Sequence, residues 1–372
     1  MREPSRPESE ALAPWIDVML AVDRAEADGD ADEALRLMQA HAVDQAGRQF
    51  WRPCRFERLA QVLLLGSDLP GWAVSRWLVA QAHNALYRPR DRWRTRAEQL
   101  SLDVVGGLER VSRRGDTEAR CQLIDRNWVY RQVFTYDLGG LARFVRSNAG
   151  PKLVARADRI HDWARAPISG LRLVSLSASS VTWARLDTGE LLEHANIGSA
   201  IFVEVGESVL GRVVPILGGT MLEGAPLVVP EEVAAKVAAD PSSWLTAIRE
   251  SRAEIETLGF EPAVLHDVPT PVWEAMLSRS PSAAALSECS ASLARRALET
   301  ARECLDGAVS AGPASVDRWS CVRAALSSRS VVARVPEIAT AEDVEVVRRL
   351  SEIVAPPTDI VGRRLVELLK DG

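Results

Sequence analysis

Val181-Thr182-Trp183-Ala184-Arg185-Leu186-Asp187-Thr188-Gly189-Glu190-Leu191-Leu192-Glu193-His194 decides how the rest of the chain is read. Its first six residues are β-branched, aromatic and alternating, the period of a half-buried strand. Asp187-Thr188-Gly189-Glu190 is a hairpin signal, and Leu191 to His194 returns as the partner strand. Further short strands are expected over 200–205, 209–217, 220–222 and 225–229, punctuated by Gly206, Gly211, Gly218-Gly219 and Gly224. Short strands so closely spaced predict a small antiparallel barrel or rolled meander, because closure hides strand edges.

On either side the period changes to that of helices. Upstream, apolar spacing predicts helices over 11–25, 31–42, 56–65, 71–86, 91–111, 116–136 and 152–164. Between the first two, Gly29 ends one helix and Asp30 is placed to cap the next. Downstream, Pro230-Glu231-Glu232 and Asp240-Pro241 open helices, followed by helical stretches over 283–307, 315–328, 341–354 and 358–369. The fold class is therefore α+β, mostly helical, with three domains: a helical N-terminal domain over residues 1–166, a β module over 167–230 and a helical C-terminal domain over 231–372.

Composition narrows the function classes. A chain of 372 residues with 47% hydrophobic and 26% charged residues is globular. Its net charge of −6 does not describe a generally basic nucleic-acid binder. No apolar stretch reaches the ~18 residues of a membrane helix, and the start Met1-Arg2-Glu3-Pro4-Ser5-Arg6-Pro7-Glu8 lacks the apolar core of a secretory leader. Five dispersed cysteines (54, 121, 289, 304, 321) suit reduced thiols of a cytoplasm. Only Lys152, Lys236 and Lys370 interrupt a basic complement made of arginine, a bias of high-GC bacterial genomes, so arginine content alone carries no function. Charge is nonetheless zoned: residues 51–170 carry net +9, between acidic flanks of −6 over 1–50 and −9 over 171–372.

Motifs for catalysis or metal binding are missing essential residues. Asp28, Asp30 and Asp32 open like a calcium loop, but Glu33 and Gln39 stand where glycine and the bidentate glutamate belong. The histidines (41, 83, 161, 194, 266) are scattered, with no metal spacing. His161-Asp162 and His266-Asp267 are adjacent in sequence, a poor geometry for a base and its orienter. There is no nucleophile elbow, phosphate loop or dinucleotide fingerprint. No catalytic residue, cofactor or metal is expected, although a site assembled from dispersed residues stays open.

The candidate contact segment is Arg88-Pro89-Arg90-Asp91-Arg92-Trp93-Arg94-Thr95-Arg96. Arg88, Arg90, Arg92, Arg94 and Arg96 can neutralise phosphates while Trp93 stacks on a base. On a helix, however, alternate residues spread around the axis, and an ion-paired, solvated helix start explains the same pattern. Eleven tryptophans, seven of them at 15, 51, 72, 77, 93, 128 and 163, read first as packing between helices and second as a recognition surface.

Two short stretches resemble known families. Ala25-x-x-Asp28-Gly29-Asp30-x-x-Glu33-Ala34-Leu35, echoed by Gly115-Asp116-Thr117-Glu118-Ala119, resembles the helix–turn–helix joint of tetratricopeptide-like repeats. Asp187-Thr188-Gly189-Glu190, Gly211-Arg212-Val213-Val214-Pro215 and Gly218-Gly219…Leu222-Glu223-Gly224 resemble the small β module of uncharacterised bacterial proteins that often carry a zinc-binding SEC-C tail. This chain ends Leu368-Leu369-Lys370-Asp371-Gly372, without that cysteine-rich tail, so the resemblance implies a β module and no zinc role. Taken together, the residues point to a non-catalytic adaptor or regulator binding a protein or peptide through a Trp-bearing groove of the helical N-terminal domain. The alternatives are nucleic-acid binding through zone 51–170 and an enzyme with a dispersed site; no membrane partner is expected.

Overall fold

The computed structural model describes residues 8–41, 69–85, 92–112, 115–176, 180–195, 203–255, 283–310 and 334–353, with residues 51, 55, 58, 59, 62, 199, 200, 362, 363, 366, 367 and 369. Arg88, Arg90, Arg113 and Arg114 lie outside these, as do the expected helix over 315–328 and most of that over 56–65.

Helices α1 (Glu8–Asp28) and α2 (Ala31–Ala40) meet at Asp30, whose carboxylate accepts from the Glu33 amide at 3.0 Å, the cap its position predicts. Then come α3 (Gly71–Asn84), α4 (Arg92–Val105), the short α5 (Leu108–Val111), α6 (Asp116–Arg126) and α7 (Trp128–Gln132). The continuous helices expected over 91–111 and 116–136 are thus broken, the first at Gly106-Gly107 and the second at Asn127. Asn127 caps α7 by accepting from the Tyr130 amide at 2.8 Å. Helix α7 runs into a π-helical turn, Val133–Asp137, followed by α8 (Gly140–Ser147), α9 (Pro151–Arg156) and α10 (Ile160–Trp163).

The sheet holds β1 (Ile168–Leu176), β2 (Ser180–Arg185), β3 (Leu191–Ala195), β4 (Ser208–Ile216), β5 (Gly219–Leu222) and β6 (Leu227–Val229), all antiparallel. Its order is β3-β2-β1-β4-β5, with β6 also on β4. The 187–190 hairpin forms as read: the Thr188 amide donates to Asp187 at 3.0 Å and Arg185 pairs with Asp187 at 2.9 Å. The sequence pattern does not single out central strand β1, whose pairing with both β2 and β4 organises the sheet. The barrel is not closed. The sheet rolls until β3 approaches β5, but the two share no ladder; His194 Nε2 and Thr220 Oγ1 bridge them at 3.3 Å. The strand expected over 200–205 is absent from its described residues: Ala200 and Val203 are buried as packing groups outside any strand.

Helix α11 (Glu231–Ala239) lies across β1, and α12 (Trp244–Glu250) follows a short 3-10 turn capped by Asp240. Gly170 permits the close approach, since a Cβ there would overlap the Ala234 carbonyl oxygen. Helices α13 (Ala283–Ser310), α14 (Val335–Ile338) and α15 (Ala341–Ile353) pack together near the end of the chain. One buried cluster joins α4, α6 and α7 to α11, α12 and the β1, β4 and β6 residues Ile168, Leu210 and Leu227. Another lies inside the roll, around Leu171, Val181, Trp183 and Val209. No helix among the described residues is long and apolar enough to cross a membrane.

Gly170→Ala is expected to cost about 1–3 kcal/mol, because backbone must move to admit the methyl group. Chemical denaturation measures it; unchanged stability would contradict the close packing of α11 on β1.

Candidate functional site

The two segments pairing with one edge of β4 are interrupted. β5 pairs with 213–216 and β6 with 208–210, while Glu223-Gly224-Ala225-Pro226 swings away between them. At that break the Glu223 amide still donates to the Arg212 carbonyl at 2.9 Å, and the Glu223 side chain turns inward, 3% exposed. A carboxylate so buried requires partners. Arg131 Nη2 donates to its Oε1 at 2.6 Å and Gln132 Nε2 to its Oε2 at 3.3 Å, both from α7.

Arg212, 4% exposed in the middle of β4, continues the network. Its Nε donates to Gln132 Oε1 at 2.7 Å, its Nη2 to Asp137 Oδ1 at 2.5 Å and its Nη1 to the Ala166 carbonyl. The guanidinium lies 4.5 Å from the centre of the Tyr136 ring, and the other Asp137 oxygen accepts from Trp244 Nε1 at 2.9 Å. Gln132 therefore links the two charge pairs, accepting from Arg212 and donating to Glu223. The π-helical turn makes this possible. Its wider winding, closed by the Leu138 amide on the Val133 carbonyl at 2.8 Å, gives the sheet Gln132, Tyr136 and Asp137. Such turns are rare and recur at functional sites.

Arg76 of α3 approaches from the other side. Its Nη2 donates to the Leu222 carbonyl at 2.8 Å, and it lies 5.5 Å from the Trp72 ring centre. Burial draws its ionisation down to about 10, only partly offset by Glu223 and worsened by Arg131. Burial and then Arg76 push His194 down to about 4, so its ring is neutral at pH 7. Burial acts to raise Glu223, but Arg131, Gln132 and Arg76 outweigh it and hold the carboxyl below the ordinary range. Burial followed by Glu223 drives the Tyr136 phenol well above its ordinary value; its hydroxyl sits near that carboxylate but outside hydrogen-bond geometry. An ionised Glu223 and a protonated Tyr136 are suited to holding charge in place rather than to shuttling protons.

The candidate contact segment is less concentrated than its sequence. Arg92 and Arg96 are exposed, but Arg94 turns inward to the Ala85 carbonyl at 2.8 Å and lies 5.8 Å from the Phe134 ring centre. Trp93 is half-buried, with Arg92 4.6 Å and Arg143 4.9 Å from its ring centre. The tryptophans of the N-terminal helices are internal as well: Trp51, Trp77, Trp128 and Trp163 are buried, and Trp15 and Trp72 are half-buried. Indoles of the buried four donate to His41 O, Glu26 Oε1, Ala225 O and Pro215 O. Among the described residues no three His, Cys, Asp or Glu side chains are placed to hold a metal ion. Sequence reasoning does not single out Arg212 or Glu223, though each carries a signal: an arginine inside the apolar run Leu210-Gly211-Arg212-Val213-Val214, and a glutamate between a strand and Gly224.

No protein-family model matches the chain, and neither a curated protein nor a solved structure does.

Two outcomes follow from the network. Glu223→Gln leaves the half-buried Arg131 and Arg76 without their carboxylate and is expected to cost about 3–5 kcal/mol. Removing Arg131 as well should recover some of that loss in a double-mutant cycle, and simple additivity would contradict the pairing. For His194, the unfolded chain takes up a proton near pH 6.5 and the folded chain only near 4. Its contribution is complete above pH 6.5 and is lost as pH falls towards 4, by on the order of 3 kcal/mol. Glu223 adds a loss of the same sign as pH falls through its lowered value. His194→Gln should flatten the fall in denaturation midpoint between pH 6.5 and 4.5; an unchanged slope would contradict a buried neutral ring.

Proposed function

We propose that this is a non-catalytic interaction protein, an adaptor or regulator, that binds a protein partner on the outer side of its β module. The observation that carries this reading is the location of exposed apolar side chains. Val174 (41% exposed), Leu191 (62%) and Val205 (60%) lie on the β1–β3 side of the sheet, and Leu217 (89%) tips the β4–β5 turn. Gly206, next to Val205, is bonded to the Leu173 carbonyl at 2.8 Å, so Val205 borders Val174. In Ile16, 44% exposed, the N-terminal helices have a single such residue among those described. Glu190, Glu193 and Glu204, next to or near these residues in sequence, are exposed as well. The surface therefore fits a protein segment presenting apolar side chains flanked by lysine or arginine.

Nucleic-acid binding has less support. Arg92, Arg96 and Arg110 are exposed, but Arg94 turns inward and two guanidiniums already lie against Trp93. A dispersed active site is disfavoured by a Glu223 already committed to Arg131.

A photo-reactive residue placed at position 191 or 174 in the native host is expected to cross-link one defined protein, and the same residue at exposed position 96 is not. Cross-linking at 96 alone, or at none of the three, would contradict the reading.

A further inference from the structure

We propose that Arg92 and Arg143, set against the Trp93 indole where α4 meets α8, form a binding site for a phosphate group, as the free ion or as a small phosphomonoester. The site shares no residue with the apolar patch of the β module. The first observation is a pair of distances. Arg92 lies 4.6 Å and Arg143 4.9 Å from the centre of the Trp93 ring. The two guanidiniums are therefore at most roughly 10 Å apart, within about one Debye length at ~0.1 M salt. Two cations so close repel, and the indole attracts each of them without supplying a negative charge.

The second observation is that no carboxylate answers them. Arg55, Arg131 and Arg212 hold carboxylates at 2.7, 2.6 and 2.5 Å, whereas neither Arg92 nor Arg143 forms an ion pair among the described residues. Arg143 is held by one hydrogen bond, from its Nη1 to the Leu138 carbonyl at the end of the π-helical turn. Its Nη2 is buried with no hydrogen-bond partner among the described residues. An unpaired buried donor carries a desolvation cost, and an arriving oxygen removes it.

The chemistry of the pair chooses the class. Two guanidiniums present N–H donors on two planar forks together with a doubled positive charge. A phosphate group matches them, with two negative charges and oxygens on several sides, better than a carboxylate with one charge and two oxygens in one plane. Because both guanidiniums already lie against the indole, Trp93 backs the site and does not stack on a base, which separates this site from a nucleic-acid surface. Arg92 is exposed and Arg143 half-buried, so the pair is approached from solvent. A bound phosphate would also tie the start of α4 to α8.

The test is calorimetry on the full chain with inorganic phosphate and, separately, ethyl phosphate, against acetate, with ionic strength held constant by sodium chloride. Saturable binding of one or both phosphates below about 10 mM, with acetate much weaker, is the expected result, and the tighter of the two distinguishes free ion from monoester. Arg92→Gln and Arg143→Gln should each weaken it roughly tenfold, the loss expected for a charged hydrogen-bond partner. Arg110→Gln removes the same charge from an exposed position beyond the far end of α4, and should change binding less than about twofold. Since Arg92 is exposed, its variant carries the test if Arg143→Gln does not fold. No saturable binding of either phosphate up to about 10 mM, acetate binding as tightly, or an equal loss in Arg110→Gln would overturn the proposal.

Discussion

The Arg212 guanidinium, buried inside β4, is the constraint to which the helices and the sheet both answer. A charge in that position must be met by groups from elsewhere in the fold. Asp137 and Gln132 come from the π-helical turn and the helix before it, and the Ala166 carbonyl from the link into β1. Through Gln132 the same requirement reaches Glu223 and Arg131, and through Asp137 it reaches Trp244 of α12. Four stretches far apart in sequence thus share one polar junction. Such a junction adds less net stability than an apolar one of equal volume, but it tolerates few alternative arrangements.

The indole donors extend this principle. Trp128 binds the Ala225 carbonyl inside the β5–β6 break and Trp163 the Pro215 carbonyl of β4. Each anchors a helix to a strand by a directional bond in addition to its apolar area. Trp51 and Trp77 make the same kind of bond within the helical part, to the His41 carbonyl and to Glu26. The exposed apolar side chains of the β module, Val174, Leu191, Val205 and Leu217, are smaller and aliphatic.

Local signals are legible in the sequence, and long-range ones are not. Asp30 as a cap, Pro230 before α11, Asp240 before its 3-10 turn and the 187–190 hairpin all depend on neighbours within a few residues, and all form. Strand β1 is hidden because its pairing with both β2 and β4 reveals its role, and pairing is not written in its own residues. A closed barrel is too strong an expectation because strand count does not fix whether two edges meet with matching ladders; here they meet through His194 and Thr220. The buried network is invisible for the same reason. Arg131, Arg212 and Glu223 read as ordinary charges until the break between β5 and β6 brings them together. In the candidate arginine segment, only the fold distinguishes inward Arg94 from outward Arg92 and Arg96.

The central claim is that this junction makes the N-terminal helices and the sheet one cooperative unit. Hydrogen exchange on Arg212→Met tests it most directly, because the substitution keeps volume and removes the charge. The account predicts that amides of 128–147 and of 168–176 and 208–216 lose protection together, by a common factor. Loss confined to the strands beside residue 212, with the helices as protected as in the wild type, would contradict it.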